Sequence, residues 1–325
     1  LTWTHLQAKI HQTLTDRALL PTQSKILIAV SGGQDSLCLG QLLRDLQAKW
    51  QWELAIGHCD HGWEQDIGIA THVEQIARRW NLPFYLETTH DLPETEVAAR
   101  EWRYRALISI ATKLNYRFIV TAHSQTDRAE TLLYNLIRGA GADGLSALSW
   151  TRSLTPHLTL VRPLLEVSRA TTGEFCRQHQ LAVWDDVYNH NPKYARNRLR
   201  ESIMPQLAAN FHPQVESHLA RTAELLRAEV EYLESVTDEV YQRVTEDAPP
   251  HALDRVILRS IPLAIQRRVM RRFLDRELGT KPTFHQIEAA IALITAANRS
   301  RTSTLHRGLA AQVDGGWICI TRSSG

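Results

Sequence analysis

The stretch from Lys25 to Arg44, KILIAVSGGQDSLCLGQLLR, constrains the fold more than any other part of the chain. Ile26 to Val30 form a short apolar run that reads as a buried parallel strand, and Leu37, Leu39, Leu42, Leu43 and Leu46 form one side of a following helix. The loop Ser31-Gly32-Gly33-Gln34-Asp35-Ser36 therefore sits where a strand feeds a helix. Its two glycines let the backbone turn tightly and approach a ligand, while exposed amides and the positive helix end favour an anion such as phosphate. No Lys-Ser/Thr pair closes the loop, so it is not a Walker A motif, and it does not follow the G-x-G-x-x-G dinucleotide pattern.

Further short apolar runs, Leu54 to Cys59, Phe84 to Leu86 and Phe118 to Ala122, alternate with helix-period segments over Ile69 to Trp80, Glu94 to Leu114 and Thr126 to Arg138. Alternation of this kind implies an α/β fold with a doubly wound parallel sheet, in which ligands bind beyond the carboxyl ends of the strands. His58, Asp60 and His61 lie at one such end, and His123 and Asp127 at another. Residues 145 to 156 read as a loop, and Leu158 to Val161 as a further strand. Beyond about residue 208 the pattern changes: Leu219, Leu226, Leu233 and Val240 recur every seven residues in one long amphipathic helix, and EDAPP at Glu246 to Pro250 interrupts it. Two domains are expected, 1–208 and a smaller, mainly helical 209–325. The second carries a capping box at Thr283 and Gln286, and a terminal hairpin turning at Asp314-Gly315-Gly316.

With 43% hydrophobic and 22% charged residues, and no apolar run long enough to span a bilayer, the chain is expected to be a cytoplasmic globular protein. Its N-terminus has no basic-then-apolar signal pattern, and it begins with Leu, so the natural start is expected upstream. Cys38, Cys59, Cys176 and Cys319 form no C-x-x-C pair, which argues against a disulfide framework, a zinc ribbon or an iron-sulfur site. A net charge of +2 does not by itself mark a nucleic-acid binder; that reading must rest on local clusters.

The loop resembles the SGGxDS PP-loop of the ATP pyrophosphatase superfamily, whose members cleave ATP to AMP and pyrophosphate while adenylating a carbonyl oxygen. Taken in order, SGGQDS, HCDHGW (His58 to Trp63), AAREWRY (Ala98 to Tyr104), TAHSQTDRAETLL (Thr121 to Leu133), RGAGADGL (Arg138 to Leu145), RPLL (Arg162 to Leu165), DVYN (Asp186 to Asn189) and ARNRLR (Ala195 to Arg200) resemble tRNA(Ile)-lysidine synthetase over about the first 205 residues. The length resembles that family's shorter form. The resemblance implies an adenine nucleotide alpha hydrolase-like catalytic domain. In it, Ser31, Gly32, Gly33, Gln34, Asp35 and Ser36 hold ATP, and Asp35 holds Mg2+, as a hard carboxylate suits.

The implied reaction adenylates the C2 oxygen of the wobble cytidine in an isoleucine tRNA with a CAU anticodon, after which free L-lysine displaces AMP. Arg103, on one helix face with Glu96 and Arg100, is implied to stabilise phosphate charge; His123 assists, and Asp127 and Glu130 receive the lysine amine. Arg267, Arg268, Arg271 and Arg272 make i, i+4 pairs, and with Arg196, Arg198 and Arg200 they suit contacts to tRNA phosphates. The chain departs from the family pattern at Trp63-Glu64, where Leu-Arg is usual, at Ser124 and Thr126, for which no role is implied, and at Tyr188. The alternatives are a tRNA thiolase sharing the loop and a non-catalytic RNA-binding relative. The oligomeric state stays open, a homodimer included.

Overall fold

The computed structural model describes residues 3–63, 66–184 and 195–322; Glu64 and the Asp186 to Asn189 motif, with Tyr188, lie outside the described residues. The chain divides into two compact units, Leu1–Arg227 and Ala228–Gly325.

In the first unit, α1 (His5–Asp16) precedes β1 (Lys25–Ala29), α2 (Gln34–Trp50), β2 (Glu53–Asp60), α3 (Ile69–Trp80), β3 (Phe84–Thr88), α4 (Glu96–Lys113), β4 (Phe118–Val120) and α5 (Gln125–Ile137). The short α6 (Ala142–Leu145), β5 (Thr151–Thr155), β6 (Leu158–Val161) and α7 (Arg169–Gln178) follow. The strands lie in the order β3-β2-β1-β4-β6-β5. All neighbours pair in parallel except β5, which runs antiparallel to β6. The sheet is the parallel α/β one anticipated, with one correction. Residues 151–155, expected in a loop, form an edge strand. The stretch TRSLT is too polar to look like a core strand, because at an edge only part of it is covered.

Helices cover both faces of this sheet, which is why its strands read as continuous apolar runs. Successive residues of β1 divide between the two cores. Ile26 and Ile28 pack with Leu39, Leu42 and Leu43 of α2 and with Phe175 of α7, whereas Leu27 packs with Leu107 and Ile110 of α4. Each of these is fully or almost fully buried.

After α7 come α8 (Ala195–Arg198), a π-helical turn (Leu199–Ile203), α9 (Met204–Asn210) and α10, a 31-residue helix over Val215–Thr245. The heptad of Leu219, Leu226, Leu233 and Val240 falls within α10. The opening turns of α10 grip α5. Glu224 receives Arg128 Nη1 at 2.8 Å and Trp150 Nε1 at 3.1 Å, and Arg17 stacks over the Trp150 ring at 4.1 Å. Arg128 is 1% exposed, so its charge has left water and depends on this carboxylate.

The second unit contains β7 (Ala252–Asp254), α11 (Arg255–Leu258), α12 (Leu263–Leu278), α13 (Phe284–Ile291), β8 (Leu309–Asp314) and β9 (Trp317–Arg322). Strands β8 and β9 form the expected hairpin, with Asp314 opposite Trp317 and Gly315-Gly316 as the turn. Strand β7 completes a three-stranded sheet on the free side of β9. The capping box at Thr283 is present, the Gln286 side-chain Oε1 accepting from Thr283 N at 2.7 Å. Phe273, Leu274, Val269 and Met270 of α12 fill the core against Ile287, Val313 and Ile318.

Removing the partner of a buried charge costs more than removing an exposed contact. Glu224→Ala should destabilise the first unit by about 3 kcal/mol, seen as a lower urea midpoint, whereas the neighbouring Leu225→Ala, at a side chain that is 63% exposed, should change it by less than about 0.5 kcal/mol. Equal midpoints for the two variants would contradict the role given to the Arg128–Glu224 pair.

Candidate active site

Strand β1 lies between β2 and β4, so the chain order reverses direction there and opens a crevice beyond the strand ends. A cleft of about 440 Å³ occupies that place. Its first wall is the loop after β1. Gly32 adopts φ +91°, and a β-carbon built on it would meet only ordinary contacts at 3.4 Å or more. The backbone angle rather than lack of space therefore calls for glycine. Trp184 N donates to the Gly32 carbonyl at 3.0 Å, and Ser36 Oγ donates to the Gly33 carbonyl at 2.8 Å while accepting from Ser31 N at 3.2 Å.

Helix α2 then begins with Gly33 as its N-cap, and no side chain caps its first amides. Those amides and the positive helix end face the cleft as an anion site. Ser31, Gly33, Gln34, Asp35 and Ser36 all line it, whereas the Gln34 side chain turns away to bond the Arg169 carbonyl at 2.7 Å and Thr172 Oγ1 at 3.1 Å.

Asp35 Oδ2 accepts from Arg169 Nη1 at 3.0 Å, and Oδ1 accepts from the Thr172 hydroxyl. Burial raises the Asp35 carboxyl above the usual range, against the pull of Arg169 and Thr172. A single carboxylate beside serine hydroxyls and an anion site fits Mg2+ shared with phosphate oxygens. Among the described residues no group of three or more His, Cys, Asp or Glu could hold a metal on its own, and triphosphate oxygens suit the ligand positions Asp35 leaves open.

The opposite wall comes from α4 and α5. Glu96, Arg100 and Arg103 do share a face of α4, and all three line the cleft. His123 lies between β4 and α5, with its Nδ1 at 2.9 Å from Thr121 Oγ1. Desolvation in the wall pushes its imidazole down to about 3, so it is neutral at physiological pH and a poor proton acceptor. Ser124, for which no role was implied, forms a capping box with Asp127: Asp127 Oδ2 accepts from Ser124 N at 2.8 Å and from Ser124 Oγ at 2.7 Å. Burial works against ionisation of Asp127, but the hydrogen bonds from the Ser124 amide and hydroxyl and the charge of Arg200 oppose it, and the carboxyl is held low.

Glu130 is 0% exposed and does not line the cleft; Arg200 grips it with Nε at 2.6 Å and Nη2 at 2.9 Å. Of the two carboxylates expected to receive an amine, only Asp127 reaches the cavity. Arg200, expected at a tRNA phosphate, is turned into the cleft instead, and Arg196 lies there too, at 3.3 Å from Glu96. Arg198 is exposed. Among the described residues, Arg100, Arg103, Arg169, Arg196 and Arg200 face Asp35, Asp60, Asp66, Glu96 and Asp127 around the cavity, so cations and carboxylates balance.

Strand β2 runs on through His58 and Asp60. His58 is buried, its Nδ1 donating to the Val30 carbonyl at 2.7 Å, and His61 stacks on Trp63 at 4.7 Å. Sequence reasoning missed Arg169 and Thr172. The contact of Arg169 with Asp35 crosses 134 residues of chain and leaves no local signal.

The arginines expected to meet tRNA in the second unit are engaged within it. Arg267 pairs with Glu288 at 2.8 Å, Arg271 and Arg272 reach Glu234 at 3.2 and 2.8 Å, Arg268 also pairs with Glu234, and Arg272 with Asp238.

A glycine loop feeding an uncapped helix at the switch point of a parallel sheet, with a carboxylate in the first helical turn, defines a nucleotide-binding protein of the PP-loop class. A family model described as a PP-loop domain matches residues 2–207, and one described as a TilS substrate binding domain matches residues 253–313. The chain belongs to the tRNA(Ile)-lysidine synthase family. It is 50% identical to the tRNA(Ile)-lysidine synthase of a Nostoc species, with 98% of each chain covered, and 48% identical to that of a Synechocystis species, again over 98% of each. A chloroplastic tRNA(Ile)-lysidine synthase of Zygnema circumcarinatum is 35% identical over 90% of this chain and 80% of its own. Among solved structures, a U34-tRNA thiolase of Methanococcus maripaludis with a [4Fe-4S] cluster shares the fold, with a TM-score of 0.57 and 19% identity over 68% of this chain and 77% of that one.

Removing Arg200 would strand Glu130 in the core without its hydrogen-bonded cation, leaving the more distant Arg196. In Arg200→Met, Glu130 should keep its proton in the folded state while the unfolded chain releases it above about pH 4.3. The native state then binds more protons than the unfolded one, so stability should fall as pH rises, by at most about 1.4 kcal/mol per pH unit. Urea titrations at pH 5 and pH 7 check this, and an Arg200→Met defect equal at both values would contradict it.

Proposed function

We infer that the chain is an ATP-dependent ligase that joins lysine to C2 of the wobble cytidine in isoleucine tRNA bearing a CAU anticodon, forming lysidine and releasing AMP and pyrophosphate. The observation that carries this reading is the meeting, in one cleft, of an uncapped helix end suited to a triphosphate and an ionised carboxylate suited to an amine, in a chain about half identical to named lysidine synthases over nearly its full length.

The cytidine O2 attacks the α-phosphorus of ATP, the bond to the bridging oxygen breaks, and pyrophosphate leaves into the cradle formed by Ser31 to Ser36. Arg103, which lines the facing wall, would stabilise the charge that builds on the phosphates. Asp35 would hold Mg2+, which when bound neutralises charge on the triphosphate. The lysine ε-nitrogen then attacks C2, and AMP departs with the former carbonyl oxygen.

That nitrogen must be neutral to attack, yet an unperturbed ammonium has a pKa of about 10.4. Asp127 attracts and orients the ammonium, while Arg100, Arg196 and Arg200 around the same cavity favour its deprotonated form. His123 contributes a neutral hydrogen-bonding edge rather than a base. Glu130 acts through Arg200, which it holds beside Asp127.

Base identification and stem contacts fall to the tRNA-facing surfaces of the chain. Arg198, exposed beside the cleft, suits a phosphate, and Arg267 and Arg271, each more than 40% exposed despite their ion pairs, suit the same task. No helix among the described residues is long and apolar enough to cross a membrane, and a tRNA substrate favours the cytoplasm.

Thiolation is the weaker reading. Of the four cysteines, Cys38 and Cys176 are buried, and Cys59 and Cys319 lie on different units.

Incubation with ATP, labelled lysine and tRNA transcripts should attach lysine only to the isoleucine transcript with a CAU anticodon; attachment regardless of anticodon, or AMP release without attachment, would overturn the assignment. Asp127→Asn keeps the cap but loses a charged partner for the amine. Its KM for lysine should rise about 10-fold or more, the loss of one charge-assisted hydrogen bond, while tRNA-dependent exchange of pyrophosphate with ATP persists. An unchanged KM with full turnover would remove Asp127 from the lysine site.

A further inference from the structure

Asp35 is the residue best suited to a divalent cation, yet its carboxylate is already engaged on both oxygens. The partners come from one helix, α7: Arg169 on Oδ2 at 3.0 Å and, one turn later, Thr172 on Oδ1. The start of α7 is itself pinned. Arg169 N donates to Thr126 Oγ1 at 3.1 Å, Thr126 Oγ1 donates to Glu216 Oε1 at 2.7 Å, and the Gln34 amide of the phosphate loop bonds the Arg169 carbonyl. The Arg169 side chain is 33% exposed and lines the cleft, so it can leave the carboxylate without unfolding anything.

We propose that Arg169 is the internal counterion of Asp35: it occupies the carboxylate in the nucleotide-free protein, yields it to a divalent cation only when a triphosphate arrives, and becomes a ligand of that triphosphate. This rests on the reading of Asp35 as the metal residue.

The physical reason is charge. Among the described residues the arginines and carboxylates of the cleft balance, so a bare divalent cation entering at Asp35 meets a guanidinium already bound there. A triphosphate reverses the situation. Its oxygens form a better, bidentate partner for the guanidinium and supply the remaining ligands the ion needs. Metal and nucleotide therefore bind with positive coupling, each raising the affinity of the other by the same factor. Thr172 is neutral and contributes no such antagonism; it orients the carboxylate in both states.

The test follows Mn2+ binding by the electron paramagnetic resonance of the free ion, using the full chain without tRNA or lysine, together with ATP binding by calorimetry in the presence of a chelator. In the unaltered protein, ATP should tighten Mn2+ binding by about 10-fold or more, within the usual range of coupling energies. In Arg169→Met, Mn2+ alone should bind about 10-fold more tightly than to the unaltered protein, metal-free ATP more weakly, and the coupling should largely vanish. Arg169→Lys retains a charge beside Asp35 and should retain most of the antagonism.

Mn2+ that binds the unaltered protein equally well with and without ATP would overturn the proposal, a result that needs no variant to fold. Unchanged Mn2+ affinity in Arg169→Met, with its thermal midpoint near that of the unaltered protein, would overturn it as well. Asp35→Asn separates the two claims. If Asp35→Asn still binds Mn2+ with ATP as the unaltered protein does, the metal reading itself fails; if it loses Mn2+ while Arg169→Met matches the unaltered protein, only the counterion role fails.

Discussion

The first turn of α2 has no side chain to cap it, and much of the first unit is arranged around that open helix end. Three features keep it open. The positive φ of Gly32 turns the chain sharply out of β1, Ser36 ties the loop to itself through the Gly33 carbonyl, and Trp184 N fastens the outer edge at the Gly32 carbonyl. The aligned amides then project beyond the sheet at the one place where strand order reverses. An anion bound there is held by fixed dipoles, which need little reorganisation as charge develops on a leaving pyrophosphate.

Helix α5 supplies the other half of the chemistry, and its residues divide by direction. Asp127 faces the cleft and Glu130 is sealed behind Arg200, while Thr126 and Arg128 reach α10 through Glu216 and Glu224. The Asp127 carboxylate is thus set from several sides: by its own capping box, by Arg200 and by the opening turns of α10. Charges with so little exposure depend on partners supplied by the surrounding geometry, and the α5 wall of the cleft is held by such pairs on both sides.

The α/β alternation, the phosphate loop, the long amphipathic helix and the terminal hairpin were legible because each leaves a local signature: apolar runs, a 3.6-residue period, paired glycines. Strand β5 was not legible, since an edge strand need not be apolar. Strand β7 is three residues long and exists because β9 had an open edge. At the site, Asp35, Arg103, His123 and Asp127, expected from strand ends and motif order, line one cleft. Arg169 and Thr172 were not expected there, and Arg200, read as a contact to tRNA phosphates, closes over Glu130.

The sequence by itself determined the class of fold, the anion site and the family, because hydrophobic periodicity and the conformational freedom of glycine act over a few residues and can be read locally. Only the tertiary structure decided which charges meet. Asp35 with Arg169 and Glu130 with Arg200 join residues 134 and 70 positions apart, and whether a carboxylate faces a substrate or a buried guanidinium depends on how helices pack over the sheet. The open end of α2 could be read from its glycines; the arginine that neutralises its carboxylate could not.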